Sequence, residues 1–271
     1  MHGKENVIAP ALRERIGLIV ETPVSIDTDT LGTFTGEVPR VGTMREVAIA
    51  KARLGIAASG LRIGIGSEGT YGPHPHIPFV PGGMELMVLV DDELGIVVAE
   101  HLIDDAPVYD HEVVTDAGEL PEFLQRTGFP AQALIAMPYE PVADNYPIHK
   151  GLGEKSALSA AITDCAPHSR DGRVIVQTDM RAHMNPSRMK TVGRLARKLG
   201  ERIATACPAC RLPGFGQTGV EGGLPCRWCG AKSVMYRHEI YGCVACDHRE
   251  WRQRADGLTH ADPGRCPECN P

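Results

Sequence analysis

A chain of 271 residues, 42% hydrophobic and 23% charged, reads as a folded soluble protein with one large domain or a domain plus an appendage. No run reaches the roughly 18 apolar residues that a spanning helix needs, and the opening His2-Gly3-Lys4-Glu5-Asn6 lacks the regions of a secretory signal, so no membrane partner and a cytoplasmic location are expected. The net charge of −6 argues against indiscriminate coating of nucleic acid, but it splits into −13 over residues 1–180 and +7 over residues 181–271.

In chain order, the pattern predicts a short helix from Val7 to Arg15 and a strand from Gly17 to Glu21, stopped by Pro23. Residues 23–42 form a long polar loop rich in Asp, Thr and Gly. Thr43-Met44-Arg45-Glu46 fits a capping box, and a helical stripe follows to about Ser59. Arg62 to Gly66 reads as a strand ending in a turn that exposes Ser67 and Glu68, then a shaped loop through His74-Pro75-His76. Met84–Asp91 and Ile96–Leu102 read as a hairpin about Asp92-Glu93-Leu94-Gly95. Asp116 can cap a helix through Arg126. Strands at 132–137 and 174–178 and a helix at 154–165 follow, with Cys165 a buried core residue. Asn185-Pro186 starts a helix to about Ala206 whose basic face is expected to be solvated.

Eight of the nine cysteines fall in four pairs: Cys207/Cys210, Cys226/Cys229, Cys243/Cys246 and Cys266/Cys269. Two residues between cysteines let both sulfurs meet one ion, and zinc takes four thiolates tetrahedrally. The eight give two structural four-thiolate zinc sites in a ribbon-like domain. Pairing in sequence order is the first expectation, with nested or interleaved arrangements open. An iron–sulfur cluster would use the same ligands. Two zinc ions on eight thiolates would leave the C-terminal third near +3, enough to meet a phosphate or an RNA strand.

The polar stretch from Asp27 to His76 carries the candidate chemistry. Asp27, Asp29, Glu37, Glu46 and Glu68 could offer oxygen to magnesium or manganese, and Lys4 and Lys51 could neutralise a phosphoanhydride. Glu46 serves either as a cap alone or as a metal ligand. His74 and His76 are candidate acid or base groups. Arg181 and His183, just past a strand end beside Asp179, form a second cluster, with Arg181 suited to phosphate.

On His2-Gly3-Lys4-Glu5, Asp27-Thr28-Asp29, Ser67-Glu68-Gly69, Gly72-Pro73-His74-Pro75, residues 178–183 and the cysteine array, the chain resembles an uncharacterised bacterial family of unknown function. Over residues 2–70, Thr43 to Arg53 followed by Ser59-Gly60-Leu61 and a strand ending in an acidic-glycine turn is similar to the inosine triphosphate pyrophosphatase family. That resemblance implies a metal-binding role for Glu46, triphosphate contacts for Lys51 and Lys4, and an acidic metal or catalytic role for Glu68. The paired aspartates and the late Ser-His-Arg motif of that family have no clear match, although Arg181-Ala182-His183 lies at about the right place.

The expected fold is α/β or α+β, a mixed sheet flanked by helices over residues 1–206 plus a zinc-ribbon-like domain over 207–271. The expected function is a metal-dependent hydrolase of a nucleotide or other phosphorylated small molecule. The alternative is an RNA-associated zinc-ribbon protein without hydrolase activity.

Overall fold

The computed structural model describes residues 3–23, 26–32, 38–74, 77 and 79–271. The chain divides into two compact units, residues 1–90 with 99–199 and residues 91–98 with 200–271.

In the first unit, α1 (Glu5–Ile16) closes on Gly17, whose φ of 70° suits a residue without Cβ. The expected strand at 17–21 does not form. Once Gly17 has turned the chain, the described residues offer Leu18, Ile19 and Val20 no partner strand, and Ile19 is 76% exposed. The capping box of α2 (Met44–Ser59) is complete: the Thr43 hydroxyl accepts from the Glu46 backbone N–H, and the Glu46 carboxylate accepts from that of Thr43.

The next strand departs from expectation in a way that matters for the site. β1 (Ile63–Pro73) does not stop at Gly66 but runs on through Ser67, Glu68 and Gly69. Gly64 and Gly66 within it are packing residues. A Cβ on Gly64 would lie 2.2 Å from the Ala52 carbonyl, and one on Gly66 would lie 1.9 Å from that of Ala48. The bare strand therefore lets the backbone of α2 lie directly on β1, and neither glycine accepts a side chain without moving the helix. β1 is the edge of a sheet in the order β1-β2-β3, with β2 (Pro81–Asp91) and β3 (Ile96–Asp104). Between them Asp91 accepts from the backbone N–H groups of Glu93 and Leu94, and Gly95 supplies a φ of 65°, closing the expected hairpin.

A second sheet has the order β4-β7-β5-β6, from β4 (His111–Val114), β5 (Leu134–Pro138), β6 (His149–Leu152) and β7 (Val174–Thr178), all paired antiparallel. The fold is α+β, with antiparallel sheets in place of one mixed sheet. The short β4 and β6 were not legible in the sequence, because four residues are too few to show a period. Asp116 caps a 3-10 turn rather than a continuous helix, and α3 (Pro121–Thr127) restarts at a proline suited to a first turn. α4 (Lys155–Cys165) packs on this sheet, where Leu120, Phe123, Leu134, Leu158, Ile162 and Val176 form the core. Cys165 lies fully buried in that cluster, and burial pushes its thiol up to about 11, as fits an inert packing residue.

α5 (Pro186–Ala204) starts as its Asn-Pro predicts, with Asn185 Oδ1 accepting from the Arg188 backbone N–H at 2.9 Å. Val192, Leu195, Ala196 and Leu199 form its buried stripe. The expectation of a wholly solvated basic face fails at Arg188, which is 2% exposed.

In the second unit, β8 (Gly216–Gly222), β9 (Tyr236–Gly242) and β10 (Arg249–Gln253) form an antiparallel sheet in the order β10-β9-β8. No helix among the described residues is long and apolar enough to cross a membrane.

Candidate functional site

The four knuckles of the second unit form two clusters, and the pairing is interleaved. Cys207 and Cys210 face Cys243 and Cys246, while Cys226 and Cys229 face Cys266 and Cys269. Pairing in sequence order is thereby corrected: first joins third and second joins fourth. Cys207 and Cys246 sulfurs lie 3.8 Å apart, Cys210 and Cys243 3.5 Å, Cys226 and Cys269 3.9 Å, and Cys229 and Cys266 3.6 Å. Zinc–sulfur bonds of about 2.3 Å in a tetrahedron place sulfurs roughly 3.8 Å apart, so both clusters could hold zinc. Backbone N–H groups of Trp228 and Ala245 point at the sulfurs of Cys226 and Cys243, the orienting contacts a thiolate site needs. After the second cysteine the chain turns left-handed, through Gly230 at φ 75° and through Arg211 at φ 66° in the corresponding place.

A cleft of about 700 Å³ lies in the first unit. Lys4, Lys51, Glu68 and Arg181 of the sequence-derived candidates all line it, along with Arg40, Lys150 and Arg188. Leu18, Ile19, Val20, Ile63 and Ile65 give it apolar wall. Among the described residues, seven lysines and arginines line it, with the carboxylates of Glu5, Glu21 and Glu68. Two of the arginines are engaged from behind, Arg181 by Asp179 and Arg188 by Glu85.

Glu68 is the hub. It is only 6% exposed, yet its two oxygens take Lys51 from α2 and Arg40 at 3.1 Å, and Arg40 also donates to the Gly69 carbonyl at 2.8 Å. The Lys51 contact depends on the close seating of α2 on Gly64 and Gly66. Gly32, at a φ of 130°, lies against Arg40: a Cβ on it would come within 3.2 Å of the Arg40 backbone. Lys4, in the turn before α1, donates to Ser67 Oγ at 2.9 Å. Burial, followed by the positive charge of Arg188, lowers its pKa to about 8.

Behind this wall is a network that sequence reasoning missed. Glu85 of β2 is fully buried and accepts from Arg188 Nε at 2.5 Å and from the Tyr71 hydroxyl at 2.7 Å. Arg188 also donates to the Met180 carbonyl, and its guanidinium lies 5.6 Å from the Tyr71 ring centroid. A Cβ on Gly69 would strike Glu85 at 2.5 Å and Arg188 at 2.7 Å, so the Gly69 that reads as turn chemistry is clearance for this pair. The one available signal was that Glu85 interrupts an apolar strand.

Arg181 is aimed by Asp179, which is fully buried and accepts from the Arg181 backbone N–H at 3.0 Å and its guanidinium at 2.6 Å. Asp179 also accepts from the Gly151 N–H at 3.1 Å, tying it to the strand that carries Lys150.

The other candidates sit elsewhere. Glu46 is exposed, and hydrogen bonds from the Thr43 backbone and hydroxyl hold it below the usual carboxylate range, so the cap engages it. His74 is 6% exposed, contacting Asp105 at 3.0 Å and accepting from the Ile77 backbone N–H at 3.1 Å, which braces the β1–β2 connection. Asp27 is exposed, its carbonyl accepting from the Thr30 hydroxyl at 2.9 Å. Asp29 opens a 3-10 turn, Asp29–Leu31. His183 is exposed in the turn Ala182–Met184. His76 and Glu37 lie outside the described residues. Among the described residues, the groups of three or more metal-ligating side chains are the two cysteine clusters.

Fold and sites together define an α+β protein with a cation-lined cleft and a double four-cysteine unit. The chain belongs to the family described as a domain of unknown function, DUF6671, whose model matches residues 51–271. No curated protein matches, and no solved structure does. The match spans the Lys51 end of α2, all of β1 and both cysteine clusters, and starts after Lys4 and Glu46.

Proposed function

We propose that the cleft binds a phosphorylated small molecule, nucleotides included, and that the protein hydrolyses it with a divalent cation while the second unit holds two structural zinc ions. The observation that carries this reading is that Lys51 and Arg40 meet on one buried carboxylate, Glu68, in a cleft that Lys4 and Arg181 also line. Cations held this way are preorganised for a dense anion, which gains more from them in a partly water-excluded cleft than in solvent. Magnesium or manganese is commonly bound by one or two carboxylates plus the substrate's own phosphates, and Glu68 is the cleft carboxylate suited to that share. Such an ion neutralises charge on the oxygens as the phosphoanhydride breaks. The likeness of residues 2–70 to the inosine triphosphate pyrophosphatases supports the same chemistry through Lys4, Lys51 and Glu68.

Purified protein with magnesium or manganese is expected to release phosphate or pyrophosphate from a nucleoside triphosphate or another phosphorylated metabolite. Glu68→Gln is expected to abolish that release without lowering zinc content. An unchanged rate in the variant would remove Glu68 from the site.

A second reading has its own observation. Trp251 on β10 and Trp228 in a knuckle are 56% and 79% exposed, each next in sequence to an arginine, Arg252 and Arg227. Exposed indoles beside arginines suit stacking on single-stranded RNA. Salt-sensitive RNA binding without turnover of any phosphorylated metabolite would favour this reading over the first.

A further inference from the structure

Ser67 stands out within the cleft. It sits on the edge strand β1, lines the cleft, and its Oγ is the acceptor for Lys4 Nζ at 2.9 Å. Strand alternation puts Ser67 on the same side of β1 as Gly69, the side on which Glu85 and Arg188 lie. The charged groups around the Lys4 amine are Arg188 from α5, Glu85 from β2, Glu68 from β1 and Lys51 from α2. A serine needs a neighbouring base to act as a nucleophile, and a lysine can be that base only where its surroundings favour the neutral amine. Here both partners are in hydrogen-bonding contact, and both line the cleft.

We propose that Ser67 and Lys4 form a nucleophile–base pair, in which Ser67 Oγ attacks the phosphorus of a phosphoryl group held by the arginines of the cleft. The step rests on the phosphate reading above and supplies its covalent chemistry. The Oγ–phosphorus bond forms as the bond from phosphorus to the leaving oxygen breaks. The neutral Lys4 amine takes the hydroxyl proton and hands it to the leaving oxygen. Water then attacks the phosphoserine, Lys4 accepts a proton from that water, the phosphorus–Oγ bond breaks, and the proton returns to Oγ. The net change is hydrolysis, and no oxidant or further reactant is consumed. Lys4 at about 8 is partly neutral near pH 7 and more so above it, so the rate of attack should climb through that pH.

The test uses the zinc-loaded full chain and an alkyl fluorophosphonate, a phosphorus electrophile that loses fluoride to an activated serine. Peptide mass spectrometry is expected to find the adduct on Ser67, forming faster as pH rises through about 8. Ser67→Ala should abolish the adduct. Lys4→Arg keeps the charge but cannot act as the base, and should slow labelling by about 100-fold. Circular dichroism and zinc content check that both variants are folded, and pyrophosphate binding is measured in parallel. No adduct on Ser67 in a protein that binds pyrophosphate would overturn the nucleophile and leave the phosphate reading standing. Equal labelling rates in wild type and Lys4→Arg would overturn the role of Lys4. Labelling without any pyrophosphate binding would overturn the phosphate reading and this proposal with it.

Discussion

Replacing Cys210 and Cys243 together by serine is expected to remove one zinc ion from the protein and leave the other bound as in wild type. Both residues belong to one four-cysteine cluster, because the first knuckle joins the third. The double variant therefore strips two ligands from a single site and none from Cys226, Cys229, Cys266 and Cys269. Pairing in sequence order would instead take one ligand from each site and weaken both ions alike. Metal analysis under a graded chelator separates the two outcomes. The effect should be large, since structural four-ligand zinc sites contribute apparent binding energies of about 10–16 kcal/mol that are largely folding energy. Hydrogen exchange over residues 200–271 should lose protection accordingly, while complete chelation of wild type should release about two ions per chain.

The second large effect is expected at Arg188→Met, which should lower unfolding stability by about 3–5 kcal/mol. Glu85 is fully buried and Arg188 is 2% exposed, so removing the arginine leaves a carboxylate in the interior with the Tyr71 hydroxyl as its remaining donor in this network. Burial and the Glu85 charge hold the Tyr71 phenol well above its usual range, so it stays a neutral donor, and a phenol carries no positive charge to offset the carboxylate. Arg188→Met with Glu85→Leu removes both charges and should recover much of the loss, because a buried pair replaced by apolar groups is often near neutral. Urea unfolding of the singles and the double gives the coupling directly. A single-variant loss below about 1 kcal/mol would show that the pair is not sequestered as described. Arg188 also holds the Met180 carbonyl beside Arg181, so the variant should weaken anion binding as well as stability.

Much of this was legible in the chain, for physical reasons that differ by element. The capping box at Thr43–Glu46, the Asn185-Pro186 start of α5 and the Asp91–Gly95 turn are local devices that announce themselves in a few residues. The cysteine spacing likewise declared eight ligands, but it could not declare their partners, since knuckle-to-knuckle contacts depend on how the strands β8–β10 fold back. Four cleft residues, Lys4, Lys51, Glu68 and Arg181, were named in advance from residue type and likeness. What failed was the reading of glycine as a turn marker. Gly66 and Gly69 sit inside one strand, as Gly64 was expected to, and are clearance for α2 and for Arg188, which only the three-dimensional neighbours reveal. Glu85 and Arg188 were missed for the same reason, since an acid in a strand and an arginine on a helix look solvated until they meet 103 residues apart.

The proposed anion site is built from Lys4, Lys51, Arg40 and Arg181, which line one cleft. Calorimetric titration of inorganic pyrophosphate into the zinc-loaded full chain, with magnesium present, tests it most directly. We expect saturable binding at one site, weakened about 10- to 100-fold by Lys51→Ala and by Arg181→Ala, as loss of a charge-assisted hydrogen bond implies. No saturable binding to the wild-type chain, or equal affinity in wild type and both variants, would contradict the account.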